Sequence, residues 1–424
     1  MSFKRPKGTR DFLPEDMVKR RWLFDVGRPV FERYGYGEIE TPAFETLELL
    51  TCKDSLGDEA VKDIYRFKDK AGRNLGLRFD PTTPIARVIA TDRSIKLPVK
   101  WYYNFVPMWR YEDVAKGRYR EFYQAGVEII GAEGPEADAE VLMVVIDYLL
   151  ATGLKQFTLR INSRKVLDGL AKKVGIKNST DIFRILDKLD KQGEKQVKIE
   201  LSEFLNNKQI DDIFNFIKMS PEQARNYLGM SSLDIEDVFN VLPVKYKKFV
   251  KIDFSIARGL DYYTGFIFET LVKGQESLGS VASGGRYDNL IQKYGGQPTP
   301  ATGVGIGVER ILEILEIKKM FPKNLNASPT VFVIPVDEKC RKQAFSMTQS
   351  IRSEGISADT DLVGRKFKKN LEYANAQNIP YVIIIGEKEI KSKKYVLKDM
   401  AKRKESKMPI SGIIKKIKQG REGL

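Results

Sequence analysis

The sequence predicts an α+β chain: an N-terminal domain built on antiparallel strand pairs and interrupted by a helical insertion, then a small C-terminal α/β domain. Three observations predict it. Residues Trp101–Gly131, WYYNFVPMWRYEDVAKGRYREFYQAGVEIIG, form two runs rich in aromatic and β-branched side chains around a charged loop with Gly117, the pattern of a hairpin. From Arg164 to about Lys248 the pattern changes to Lys-rich amphipathic helices. Beyond Phe321–Thr330, which carries two prolines and no apolar periodicity, strand and helix patterns alternate, as in an α/β domain with a largely parallel sheet.

Composition narrows the chemistry. The chain has 424 residues, long enough for two or three cores. Its 72 Lys and Arg against 57 Asp and Glu give a net charge of +15, which favours a polyanionic partner such as nucleic acid, although a basic solvated surface gives the same number. Two cysteines, Cys52 and Cys340, supply neither a disulfide framework nor a thiolate metal site, and fit a reducing cytoplasm. There is no histidine at all, which removes Ser-His and Cys-His nucleophilic machinery and nearly every zinc site. What remains is positioning, Arg and Lys charge, carboxylates, and an oxygen-bound ion such as magnesium. No apolar run reaches about 18 residues and the N-terminus has no signal-peptide pattern, so no membrane span or secretion is expected.

In chain order, Met17–Tyr34 has apolar residues at helical spacing, and GYGEIETPAFE then reads as a turn and a short strand ended by Pro42. Ile64–Phe67 and Asn74–Phe79 flank a Gly-containing turn, as a hairpin would. Asp80 and Thr82 stand at a strand end, where either a helix N-cap or a ligand contact is expected. In the central hairpin, Arg118, Arg120, Gln124 and Glu128 share one face if the pairing is regular. Such a face suits a ligand with an anionic end and a hydrogen-bonding end; cross-strand ion pairs on a solvated face are the alternative. Pro135 opens a helix that Gly153 stops, and Phe157–Asn162 is a strand. In the insertion, Ile182, Ile185, Leu186 and Leu189 lie on one helix face, and Ile210, Ile213, Phe214 and Ile217 on another. Phe249–Phe254 is a strand leading into ARGLDYYTGFIFE, where adjacent Tyr262 and Tyr263 would point to opposite faces of a strand. GSVASGGRYDNL and the Gly-rich GVGIGVERIL follow; in the latter, glycines permit close approach of a flat base and Arg310 can stack or reach phosphate. Thirteen Lys and Arg against five Asp and Glu make residues 387–424 strongly basic, at net +8.

Several of these stretches carry a family resemblance. Arg110–Glu112, the loop and Gly117–Phe122 resemble motif 2 of class II aminoacyl-tRNA synthetases, and YREFYQAGVE is similar to its histidyl version. RGLDYYTG, from Arg258 to Gly265, matches a histidyl-specific signature, GSVASGGRYDNL resembles a second, and GVGIGVERIL looks like motif 3. The helix, strand and Pro42 near the N-terminus resemble motif 1. Val304 stands where the family often has an aromatic residue, and Asp113 and Ala115 replace an Arg and a Gln common in bacterial relatives.

The resemblance to histidyl-tRNA synthetases implies a class II antiparallel-sheet catalytic domain, with parts at 1–163 and 249–321, a helical insertion at 164–248, a linker at 322–328 and an anticodon-binding domain at 329–424. It implies ligation of L-histidine to tRNA(His) with ATP, through a histidyl-adenylate, in a cytoplasmic homodimer with Mg2+ bridging the phosphates. Carried over residue by residue, Arg258 and Arg110 are catalytic; Asp80, Pro81, Thr82, Gln124, Glu128, Tyr262 and Tyr263 bind histidine; Arg110, Glu112, Arg118 and Arg310 bind ATP; no protein metal ligand is implied. A regulatory paralogue that senses histidine without catalysis is the alternative, and a synthetase for another amino acid of the same subclass a third.

Overall fold

The structure is a computed structural model that describes residues 3–52, 58–177, 179–257 and 262–422. The chain divides into two compact units, Met1–Asp11 with Arg20–Phe321 and Phe12–Lys19 with Pro322–Leu424.

The strands of the first unit are β1 (Gly37–Glu38), β2 (Phe44–Thr46), β3 (Arg66–Lys68), β4 (Asn74–Leu77), β5 (Val99–Trp109) and β6 (Glu121–Ile130). They continue with β7 (Phe157–Ser163), β8 (Val250–Ile252), β9 (Phe266–Val272), β10 (Ala282–Arg286) and β11 (Ala301–Gly307). Eight of them form one sheet in the order β1-β5-β6-β11-β10-β9-β7-β8. Pairing is antiparallel from β5 through to β7, and parallel at both edges, β1 with β5 and β7 with β8. β2, β4 and β3 make a small antiparallel sheet beside it.

The hairpin of β5 and β6 is not regular. Its register passes from Tyr103 opposite Gly126 to Val106 opposite Gln124, so two residues of β5 oppose one of β6, and Phe105 sits at φ 54°. Such a bulge bends and twists the strand. The expected shared face for Arg118, Arg120, Gln124 and Glu128 is therefore corrected: β6 begins at Glu121, and both arginines precede it. Arg120 lies over the Tyr111 ring at 3.8 Å, and its Nε donates to the Glu112 carbonyl.

At the centre of the sheet side chains are missing by necessity. Gly126 pairs with Gly305 and Gly285 with Gly303. A Cβ added at Gly284 would lie 2.0 Å from the Gly303 carbonyl, and one at Gly126 2.0 Å from the Val304 carbonyl, so only glycine lets these strands approach. The apolar core packs on this sheet through the helix Pro135–Ala151, with Val141, Leu142, Val145 and Tyr148 buried, and through Phe31 of the helix Pro14–Arg33, which stacks on Tyr102 and Tyr148. The expected apolar faces of the insertion belong to the same core: Ile182, Ile185, Leu186, Ile210, Ile213 and Phe214 are buried. Its helices start where the sequence supplies caps, Asn206 with Gln209 and Ser220 with Gln223.

In the second unit β12 (Val331–Pro335), β13 (Ala358–Thr360), β14 (Tyr381–Ile385), β15 (Tyr395–Asp399) and β16 (Lys404–Met408) form a sheet in the order β13-β12-β14-β15-β16. The first three strands are parallel, whereas β14, β15 and β16 pair antiparallel, which corrects the expected largely parallel sheet. Val331 and Val333 face one helical layer and Phe332 and Ile334 the other, as alternation along a doubly covered strand requires. The basic stretch is ordered as well: it supplies β15, β16 and the helix Ile410–Glu422, which buries Ile413 and Ile417.

Candidate active site

A cleft of about 1110 Å³ opens in the first unit. Its wall includes Asp80, Pro81, Thr82, Arg110, Glu112, Arg118, Gln124, Tyr262, Tyr263 and Arg310, so ten sequence-predicted residues meet in one cavity. Arg258 lies outside the described residues.

The fold explains how each is placed. Asp80 ends the chain leaving β4 and accepts from the Thr83 N–H at 2.7 Å, in the first turn of the helix Thr82–Thr91. The N-cap position itself is Pro81, so Asp80 stands one residue before the expected cap, and its buried carboxyl lines the cleft. Arg110 leaves the end of β5 with its guanidinium 4.2 Å from the Phe79 ring centroid and 5.2 Å from that of Phe122, and its Nε donates to the Phe79 carbonyl at 3.2 Å. Glu112 and Arg118 pair across the loop at 3.2 Å. Arg310, in the first turn of the helix Val308–Ile317, donates to the Ser280 carbonyl at 2.5 Å and lies over Gly279. Gln124 lies against Gly305, where a Cβ would be 3.4 Å from its Nε2.

Tyr262 and Tyr263 precede β9 instead of lying in a strand, so the expectation of opposite faces is corrected. Both are buried, their rings pair at 4.8 Å, and Tyr262 meets Tyr287 edge-on at 5.9 Å. Glu128 lies one layer beneath the wall. It is 1% exposed and does not itself line the cleft. Its two oxygens accept from the hydroxyls of Thr82 at 2.7 Å and Tyr287 at 2.5 Å, which do line it. Gly303 makes room for the carboxylate: a Cβ there would be 1.7 Å from Oε2.

Electrostatically the cleft has two groups. Burial pushes the Glu128 carboxyl up to about 8 against the opposing pull of the Tyr287 and Thr82 hydroxyls, and burial raises Asp80 as well. Burial also lifts Tyr103, Tyr262 and Tyr287 well above the usual phenol range, which keeps them as neutral hydrogen-bond donors. Against this polar but weakly charged group stand the guanidiniums of Arg110, Arg118 and Arg310. The arrangement can hold an amino acid by hydrogen bonds and a polyphosphate by charge. Among the described residues there is no cluster of three or more His, Cys, Asp or Glu able to hold a metal.

The model of the family described as histidyl-tRNA synthetase matches residues 8–311, and that of the anticodon binding domain matches residues 330–420. A relative named histidine–tRNA ligase from Pyrococcus abyssi is 41% identical, covering 98% of this chain and 99% of its own. The chain belongs to the histidyl-tRNA synthetase family. Among solved structures, the histidyl-tRNA synthetase from Nostoc sp. PCC 7120 superposes with a TM-score of 0.81 at 29% identity, covering 99% of both chains. A structure from Bacillus halodurans titled as an ATP phosphoribosyltransferase regulatory subunit/histidyl-tRNA synthetase has a TM-score of 0.73 at 25% identity and covers 90% of this chain and 98% of that one.

Sequence reasoning about this synthetase-family cleft missed Tyr103 and Tyr287. Tyr103 lines it from β5 and donates to the Val304 carbonyl at 3.0 Å. Tyr287 follows Gly284, Gly285 and Arg286 in a stretch already singled out, and a large hydroxyl-bearing residue beside two obligate glycines was the available signal. The insertion also contributes wall, through Leu186, Asp187, Leu189, Asp190 and Lys191. Arg160 of β7 ties it down by pairing with Asp190 and with Glu269 of β9.

Proposed function

We propose that the chain ligates L-histidine to tRNA(His) at the expense of ATP, through a histidyl-adenylate, and that the cleft is where both steps occur. The observation that carries this is the meeting of the Thr82, Glu128 and Tyr287 hydrogen-bonded cluster with Arg110, Arg118 and Arg310 at one cavity.

In the first step a histidine carboxylate oxygen attacks the α-phosphorus of ATP, the bond to the bridging oxygen breaks, and diphosphate leaves with that electron pair. The nucleophile is already ionised, so no protein base is needed, which suits a chain without histidine. Alignment and charge neutralisation carry the rate, with positioning worth about 7–11 kcal/mol in favourable cases. Arg110, near the Phe79 and Phe122 rings, grips the α-phosphate; Arg118 and Arg310 take the outer phosphates or the adenine. Magnesium, when bound, adds charge neutralisation between the phosphates. Asp80 and Gln124 receive the α-amino group. Tyr262, Tyr263 and the hydroxyls ordered by Glu128 read the imidazole, so that an analogue lacking a ring N–H leaves a buried acceptor unpaired, a loss of about 10⁴-fold or more in sites of this kind. Arg258 is assigned to bridge substrate carboxylate and α-phosphate by its motif match alone. In the second step a hydroxyl of the terminal tRNA ribose attacks the histidyl carbonyl and AMP leaves. The basic second unit would hold the anticodon end, and the working form is a cytoplasmic homodimer; among the described residues no helix is long and apolar enough to cross a membrane.

Histidine-dependent exchange of diphosphate into ATP, followed by charging of tRNA(His), tests this. A histidine-sensing regulatory subunit would bind histidine and give no exchange.

A further inference from the structure

The N-terminal turn Pro6–Arg10 has no part in the mechanism above, yet it is fastened to the cleft at two points. Thr9 closes the turn, its N–H and hydroxyl both donating to the Pro6 carbonyl at 3.2 and 2.8 Å. Gly8, at φ 83°, offers its carbonyl to the backbone N–H groups of Arg120 and Glu121 at 3.0 and 3.3 Å, where the chain enters β6. A Cβ at Gly8 would lie 2.6 Å from Arg120 Cγ, so the turn seats itself against β6 without room for a side chain. From this seat Arg10 reaches two cleft-lining residues. Its guanidinium lies 3.5 Å from the Tyr119 ring centroid, and its Nη2 is 2.5 Å from Glu309 Oε2. Glu309 is 5% exposed and also pairs with the equally buried Arg20 at 3.1 Å, while Arg20 lies over the Tyr123 ring at 4.4 Å. Tyr119, Tyr123, Glu309 and Arg310 all line the cleft.

We infer that Arg10 is a positioning residue for ATP: by clamping the Tyr119 ring and the Glu309 carboxylate it fixes the strand entrance that carries Arg118 against the helix turn that carries Arg310. The geometry gives the reason. Arg118 and Arg310 reach the cleft from separate elements, and a polyphosphate held between them needs those elements at a set spacing, which Arg10 joins by one stacked and one ionic contact. Two guanidiniums against the single Glu309 carboxylate also leave a net positive charge behind the wall, favouring an anionic ligand. The Thr82, Glu128 and Tyr287 cluster is held by its own hydrogen bonds, so histidine binding should respond less to this clamp than ATP binding does.

This inference rests on the cleft being the ATP and histidine site. The test is diphosphate exchange with ATP and histidine varied separately, together with melting temperature, on the full chain. Arg10→Ala should raise KM for ATP about tenfold or more while KM for histidine stays within about twofold. Arg10→Lys, which keeps the cation over Tyr119 but not the planar fork, should recover part of the loss. Tyr119→Ala should raise KM for ATP similarly, and the double variant should be no worse than the worse single, since both remove one contact. Equal rises in both KM values, a loss that Arg10→Lys leaves unrescued, or additive effects in the double variant would overturn it. Should Arg10→Ala fail to fold, the Arg10→Lys and Tyr119→Ala pair decides the matter by the same ATP-to-histidine split. A wild-type chain that shows no exchange overturns the reading of the cleft itself, an outcome distinct from a wild type that exchanges and Arg10 variants that match it.

Discussion

Replacing Glu128 by Gln is the most informative single change at this site. The side chain keeps its size, but one oxygen is replaced by an NH2 that cannot accept, so one of the hydroxyls of Thr82 and Tyr287 must turn from donor to acceptor. Below about pH 8 the Glu128 carboxyl is neutral, and a hydrogen bond between neutral groups contributes about 0.5–1.5 kcal/mol, which corresponds to roughly 2–13-fold in kcat/KM for histidine if those hydroxyls read the ring. Stability changes in the opposite sense. Burial raises the Glu128 carboxyl from 4.5 to about 8, so the folded chain keeps a proton there that the unfolded chain releases. A raised carboxyl contributes its full stability below about 4.5 and loses it as pH rises through about 8, an effect of at most about 5 kcal/mol. Gln cannot ionise, and the variant should lack that decline. Histidine-dependent exchange and urea unfolding, each run from about pH 6.5 to 9, measure both effects. The reasoning is refuted if kcat/KM for histidine stays within twofold of wild type, or if the variant loses stability with pH as steeply as the parent.

Gly303→Ala would place a Cβ 1.7 Å from Glu128 Oε2 and 2.7 Å from the Val127 carbonyl; histidine-dependent exchange should collapse while ATP binding, followed by equilibrium dialysis, persists. Arg286→Ala removes the partner of buried Asp138, at 3.0 Å, and should cost about 3–5 kcal/mol in denaturant unfolding. Burial holds Asp138 up to about 6 even with Arg286 beside it, so its stability contribution is lost as pH rises from 3.8 through about 6; in the variant the loss should extend to higher pH. Arg310→Ala should raise KM for ATP with KM for histidine unchanged, read from the same exchange assay.

The sequence made most strands legible, because side-chain alternation and Gly-rich joints leave local traces, whereas the cleft's charged members were reached through the motif resemblance. Asp80, Thr82 and Arg310 sit after a strand end and at helix starts, where such traces are clearest. The bulge at Tyr103–Val106 left none, since a non-glycine residue, Phe105, adopts the positive φ; Arg118 and Arg120 were misplaced because the strand pattern continues before β6 begins at Glu121. The Tyr262–Tyr263 pair misled because a β-rich composition continues before β9 begins. β15 and β16 were hidden by lysines: LKDMAKRKESKM reads as solvated surface, and the strands exist because β14 offers an edge and Ile413 and Ile417 cover them. Glu128 was found as a residue but not as a depth. Whether a strand carboxylate reaches a cavity or stands behind it depends on the neighbouring Tyr287 and Gly303, which lie far away in sequence.

The Gly126, Gly284, Gly285 and Gly303 crossing has a consequence for how this scaffold can change. A surface made of peptide groups offers mutation nothing to trim, and any substitution on it enlarges a side chain where the next strand already stands. Drift toward a different amino acid must then proceed from the rim, through positions such as Thr82, Gln124 and Tyr287, while the basal outline passes unaltered from one descendant to the next.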